Sequence, residues 1–360
     1  MTHCTDCGSP TATGWIGAAI MGHATSFEGA RMGIRSTVGS MLVSAIGRER
    51  TNRIRQAERR ARNALAKRLA MEEPTKQALR KPAAKPSAAP AARKSRPAAK
   101  PSRWQPSDPF VPHPEPMMTR HELLEGLHKK TRPRTYLEIG IRTGRSMVLS
   151  RCRSIGVDPV FKIDNPIHCD VQLIKATSDD FFASDEPLAH FDGVPVDLAF
   201  IDGMHLSDFA LRDFINIEPF MADTGAVVID DVLPRNGLEA ARDRMTEPWT
   251  GDVYKVVEIL RRRRPDLVVL LFNTAPTGTA VIVGVDQAST ILNNVYPEEE
   301  PYLLRPDPQT PPQQYMDRSI SIEPDVLLES PVWEQLVAIR DSGASAGLSP
   351  LWAELRGLAP

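Results

Sequence analysis

"VDLAFIDGMHLSDFALRDF" (residues 196–214) holds two kinds of patterning back to back. Val196 to Ile201 is almost continuously apolar, which suits a strand covered on both faces. Asp202 ends the run, Gly203 permits a sharp turn, and from His205 onward the apolar residues recur at helical spacing. A buried strand feeding a helix is the repeating unit of a parallel sheet. The stretch also sets a question, because a carboxylate at the end of such a strand, with His205 three residues on, is either a turn or a site.

The same alternation extends to both sides. "TYLEIGI" (135–141), "SIGVD" (154–158), "VQLIKAT" (171–177), "GAVVIDD" (225–231), "DLVVLLFN" (266–273) and "TAVIVGV" (279–285) read as further strands. Helices are expected at 119–130, 144–152, 178–184, 205–221, 237–245 and 253–264. The first of these has Thr119 and Glu122 in capping-box spacing. The last two strands are joined only by "TAPTG", so they form a hairpin and the final strand runs antiparallel. The fold class is α/β: a doubly wound, mostly parallel seven-stranded sheet whose last strand is antiparallel.

Composition divides the chain. Residues 1–103 hold 20 Lys+Arg against 6 Asp+Glu, a net of +14; residues 104–360 hold 24 against 39, a net of −15. Residues 1–73 read as a basic helical arm, and 74–116 as a Lys/Pro/Ala-rich linker with nothing to bury. Residues 117–286 form the globular domain, and 287–360 a Pro-rich extension with short helices near its end. That extension wraps the body, covers the site or contacts another subunit of a homo-oligomer. The arm (1–103) is suited to weak, non-specific contact with nucleic acid or another acidic surface. Four cysteines, with Cys4 and Cys7 as a lone CxxC pair, give neither a disulfide framework nor a full zinc set. No run reaches the roughly 20 apolar residues of a membrane span, and the chain reads as soluble and cytoplasmic.

"LEIGIRTGRS" (137–146) places Glu138, Gly140 and Gly144 between the first strand and the next element. In open parallel sheets, ligands bind beyond the carboxyl ends of the strands, so this loop is a candidate cofactor site. Its spacing is neither the dinucleotide G-x-G-x-x-G nor a P-loop. Asp158 ends the second strand, where a carboxylate can accept both hydroxyls of a ribose.

Together these motifs resemble class I S-adenosylmethionine-dependent methyltransferases over roughly residues 119–286, nearest the catechol and macrolide-sugar O-methyltransferases. The resemblance implies that Glu138, Gly140 and Gly144 line the methionine and ribose of the cofactor, that Asp158 binds the ribose, and that Ser178 and Asp179 meet the adenine. It further implies that Asp202, Asp230 and Asp231 hold a divalent cation, with His205 as the base. Oxygen ligands favour Mg²⁺, with Mn²⁺ or Ca²⁺ as alternatives. The chain departs from the family in the segment between the second and third strands, which is too short for the usual helix.

The chemistry expected is methyl transfer to a hydroxyl of a small sugar-like or phenol-like molecule, helped by a cation that acidifies the hydroxyl and a base that takes its proton. Two other readings compete. One is a non-catalytic module of this fold that docks through its basic arm; the other is a different enzyme on the same scaffold, such as a hydroxylase. A further reading of Asp202 and Asp231 is that each caps a following helix.

Overall fold

The computed structural model describes residues 109–343 and 347–360; the basic arm, Cys4, Cys7 and most of the linker lie outside them. Seven strands form the central sheet: β1 Thr135–Ile139, β2 Arg153–Val157, β3 Val171–Ile174, β4 Val196–Ile201, β5 Met221–Asp230, β6 Val268–Phe272 and β7 Thr279–Val283. Their order is β3-β2-β1-β4-β5-β7-β6. β1 to β5 pair in parallel, and β7 runs antiparallel to both β5 and β6, as the hairpin reading requires.

Alternation along the strands feeds two apolar layers. Leu137, Ile139, Ile155, Val157, Ile201 and Ile229 face one layer, while Tyr136, Leu198, Phe200 and Val228 face the other. Helices α3 (Ser207–Ile217) and α4 (Tyr254–Arg263) cover the first layer through Leu211, Phe214, Val256 and Leu260. Helix α1 (Arg120–Thr131) covers the second through Leu123, Leu124 and Leu127. Its start carries the expected capping box between Thr119 and Glu122. Met118–Thr119 also pair with Thr274–Ala275 in a two-stranded ribbon, so the beginning of α1 is fixed from both sides.

Two expected helices are absent. Residues 144–152 form only a single 3₁₀ turn, Met147–Leu149. The crossover from β1 to β2 has only residues 140–152, about the minimum for a parallel connection, and the glycine loop consumes its first part. The Arg151 guanidinium takes the carbonyls of Val148 and Ser150, acceptors that a longer helix would need. Residues 237–245 form turns instead of a helix. Here Thr250 claims the Glu239 carbonyl with both its N–H and its hydroxyl, and the Trp249 indole N–H claims that of Ala241.

The extension holds more structure than its proline content suggested. Helix α5 (Ile291–Leu303) contains Pro297 and Pro301, each of which removes a backbone donor. It is held by buried Leu292 and Leu303, and by Glu298 and Glu299 against Arg262 and Arg263 of α4. Helices Val332–Ser342 and Leu348–Arg356 pack Trp333, Leu336, Trp352 and Leu355 into the layer under α1, so the extension wraps the body. At the other end of the described chain, Phe110 lies beneath the Arg235 guanidinium and Val111 N–H donates to the Arg235 carbonyl.

Candidate active site

The register of the parallel strands sets the level of the site. Val157, Ile139, Ile201 and Ile229 form one row across β2, β1, β4 and β5. One residue beyond that row stand Asp158, Gly140, Asp202 and Asp230, all at the carboxyl edge. The strand order reverses between β1 and β4, which is where ligands settle in open α/β sheets. Gly140 is required there. It has φ +93°, and a Cβ on it would lie 2.0 Å from the Asp202 carbonyl oxygen.

Three carboxylates and two cations meet at this edge. Asp202 is 3.3 Å from His205 Nε2 and 3.6 Å from an Arg120 guanidinium nitrogen. Asp230 is 3.0 Å from Arg120 and accepts from the Thr279 hydroxyl at 3.1 Å. Asp231 is 2.9 Å from His205 Nδ1 and accepts from the Thr277 hydroxyl at 2.5 Å. Asp230 and Asp231 are buried, whereas Asp202 and His205 reach solvent in part. Neither Asp202 nor Asp231 caps a helix: the first amide of α3, from Ser207, goes to Asp252 at 2.8 Å, and no helix directly follows Asp231.

His205 is tightly placed. It adopts φ +54°, stacks on Trp249 with ring centroids 5.3 Å apart, and its Nδ1 lies 2.9 Å from the Trp249 carbonyl oxygen. Gly251 makes room for it, since a Cβ there would collide with the His205 carbonyl oxygen. Burial opposes a charge on the ring, but Asp231 and Asp202 together outweigh it and raise its pKa well above the ordinary value. Burial raises Asp230, reinforced by the neighbouring Asp231. Burial works against Asp231 too, yet His205 holds its carboxyl below the usual range.

One Nδ1 hydrogen cannot serve both the Trp249 carbonyl and Asp231. Accordingly Asp231 Oδ2, like Asp230 Oδ2, is buried without a hydrogen bond of good geometry despite the nearby cation. Ligand atoms of Asp202, His205 and Asp231 lie within 4.8 Å of one another, close enough to share one ion. The cavity they line has a volume of about 10 Å³, room for a single water or ion. A larger cavity of about 400 Å³ lies beside Pro265–Val269 at the opposite, amino end of β6, away from these groups.

The residues assigned to the cofactor are distributed differently. Asp158 sits at the edge and accepts the amides of Arg142 and Val160 at 2.8 and 2.7 Å. Glu138 lies beneath the edge, wholly buried, accepting from the hydroxyls of Tyr136 and Ser146. Burial pushes its carboxyl up to about 8, against the opposing pull of those two donors. Gly144 is covered by its own chain: a Cβ would meet Ile163 at 3.1 Å, and the amides of Lys162 and Asp164 bond the carbonyls of Arg142 and Thr143. The segment that replaces a helix between β2 and β3 therefore lies over the glycine loop. Ser178 opens the short helix α2 (Ser178–Phe182) and hydrogen-bonds Asp213, while Asp179 pairs with Arg212 at 3.1 Å.

Three members of this constellation gave little signal in the sequence. Arg120 is read there as a helix residue, yet its guanidinium enters the acid cluster. Asp213 reads as a polar residue on a helix, yet it lines the cavity, and burial raises its pKa to about 7. Trp249 lies in an irregular loop. Only the helical phase of Asp213, one turn from the apolar Ala210 and Ile217, could have marked it.

Residues 137–232 match the family model described as a methyltransferase domain. No curated protein matches the chain. Similar solved structures include the O-methyltransferase TomG from Streptomyces achromogenes in complex with SAM, at 18% identity over 46% of this chain and 80% of that one, with a TM-score of 0.35. Another is the SAH-bound Podospora anserina methyltransferase PaMTH1, at 16% identity over 46% and 78%, with a TM-score of 0.33. A third is a Bacillus cereus O-methyltransferase in complex with SAH, at 14% identity over 46% and 80%, with a TM-score of 0.32. The matched segment, which resembles a methyltransferase domain, runs from β1 through the acids of β5.

Proposed function

We propose that the protein is an S-adenosylmethionine-dependent O-methyltransferase acting on a hydroxyl of a small molecule, with a divalent cation as helper. The observation that carries this reading is His205 wedged between Asp202 and Asp231 at the level of Gly140 and Asp158. Asp158 would take the ribose, and Ser178 and Asp179 the adenine side. Gly140 keeps the chain close at the turn, and Gly144 would come to the cofactor once the segment carrying Ile163 lifts from it.

The cluster suits a divalent cation: Asp202 and Asp231 lie close enough to share one ion with His205, two buried carboxylate oxygens lack good donors, and the cavity suits one ion. Asp202, Asp230 and Asp231 would hold it, and it would lower the pKa of the acceptor hydroxyl. His205 then takes the proton. Asp231 and Asp202 raise its affinity for a proton, and that pull weakens when those carboxylates are engaged elsewhere. Trp249 and Gly251 keep the ring aimed, and alignment of this kind can supply several kcal/mol.

Calorimetric titration of the full chain with S-adenosylmethionine tests the reading, with Asp158→Ala as control. Micromolar binding that Asp158→Ala weakens is expected, and no binding at millimolar ligand removes it. Chelation that leaves turnover unchanged removes the cation.

A further inference from the structure

Building on the cation site just proposed, we infer that Arg120 is an internal competitor for that cation, so that a divalent ion enters only as the guanidinium leaves. Arg120 bridges Asp230 at 3.0 Å and Asp202 at 3.6 Å, two of the three acids assigned to the metal. An incoming dication therefore meets acids already paired with the Arg120 guanidinium, and like charges in a buried place repel strongly.

The side chain is held by structure that nothing else in the site explains. It is the first residue of α1, inside the Thr119–Glu122 capping box and directly after the ribbon formed with Thr274–Ala275. Those contacts fix where the guanidinium starts, and its Nε is buried without a hydrogen-bond partner. A guanidinium satisfied in full would make a permanent structural bridge. One that leaves Nε and Asp230 Oδ2 without good hydrogen bonds is poised to exchange. The cation affinity of the site is thereby set by a residue outside the ligand set.

The test measures binding, not turnover. Mn²⁺ affinity is read by calorimetry for the full-length wild type, Arg120→Met and Arg120→Lys. Arg120→Met is expected to bind at least tenfold more tightly, with Arg120→Lys between the two. Because loss of Arg120 leaves Asp230 buried and uncompensated, a second readout uses the wild type alone. The Arg120 Nε–Hε resonance is followed while Mg²⁺ is added, and it should shift in step with binding. Equal or weaker Mn²⁺ affinity in Arg120→Met, or Mg²⁺ binding that leaves the resonance unmoved, overturns the competition and leaves the cation site standing. No binding at 10 mM in wild type or variants removes both.

Discussion

Replacing Glu138 by Gln should change how stability depends on pH. Glu138 is 0% exposed, and its two oxygens accept from Tyr136 and Ser146. Burial raises its pKa from 4.5 to about 8. Between those values the folded protein keeps a proton that the unfolded chain has released, so stability falls as pH rises. Each pH unit in that window costs about 1.36 kcal/mol. From pH 5 to pH 8 the loss attributable to Glu138 is therefore about 4 kcal/mol, undiminished by solvent because the group is wholly buried. Glutamine has the same shape and does not titrate. Urea unfolding of wild type and Glu138→Gln at pH 5 and pH 8 isolates the effect, since every other titrating group is common to both. The stability difference should swing by about 4 kcal/mol in favour of the variant on going to pH 8. A swing below about 1 kcal/mol would mean that Glu138 is ionised in the folded protein across the range, and would refute the assignment of burial as the dominant effect.

Three other outcomes are expected. Gly140→Ala should cost about 3 kcal/mol or more in thermal unfolding, because its Cβ would collide with the Asp202 backbone and φ is +93°. Arg264→Ala should cost about 3–5 kcal/mol in the same assay, since it removes the buried guanidinium that holds the Glu218 carboxylate at 2.7 Å and leaves that acid without its cation. His205→Ala should keep S-adenosylmethionine affinity in calorimetry while turnover falls about 100-fold or more; turnover that survives puts the base elsewhere.

The sheet was legible because its strands are apolar on both faces, and burial on both faces is a composition signal. The hairpin was legible because "TAPTG" is too short for anything else. The helices at 144–152 and 237–245 were misread for a common reason. Periodicity reports which side is apolar, not which carbonyls are already taken by Arg151, Trp249 and Thr250. Asp202, Asp230 and Asp231 stood out as charges at the ends of apolar runs. Arg120, Asp213 and Trp249 did not, because each comes from an element whose own pattern is ordinary, and only tertiary packing turns them toward the strand ends. Likewise Gly144 read as a place for a ligand, and the segment packed upon it came from a stretch with no periodicity.

The two margins of the sheet differ in a way that bears on self-association. At β6 the amide of Ile322 donates to the Leu271 carbonyl and the amide of Asn273 donates to that of Ile322, so the wrapped extension bridges the carboxyl end of that margin. At β3 no described strand pairs on the outer side. That margin is four residues long, and Asp170 and Lys175 flank it. A short, charged border is poorly suited to recruiting a second sheet. Removing the extension would exchange this guarded border for the bare, wholly apolar run of β6, and with it create a template for intermolecular strand addition.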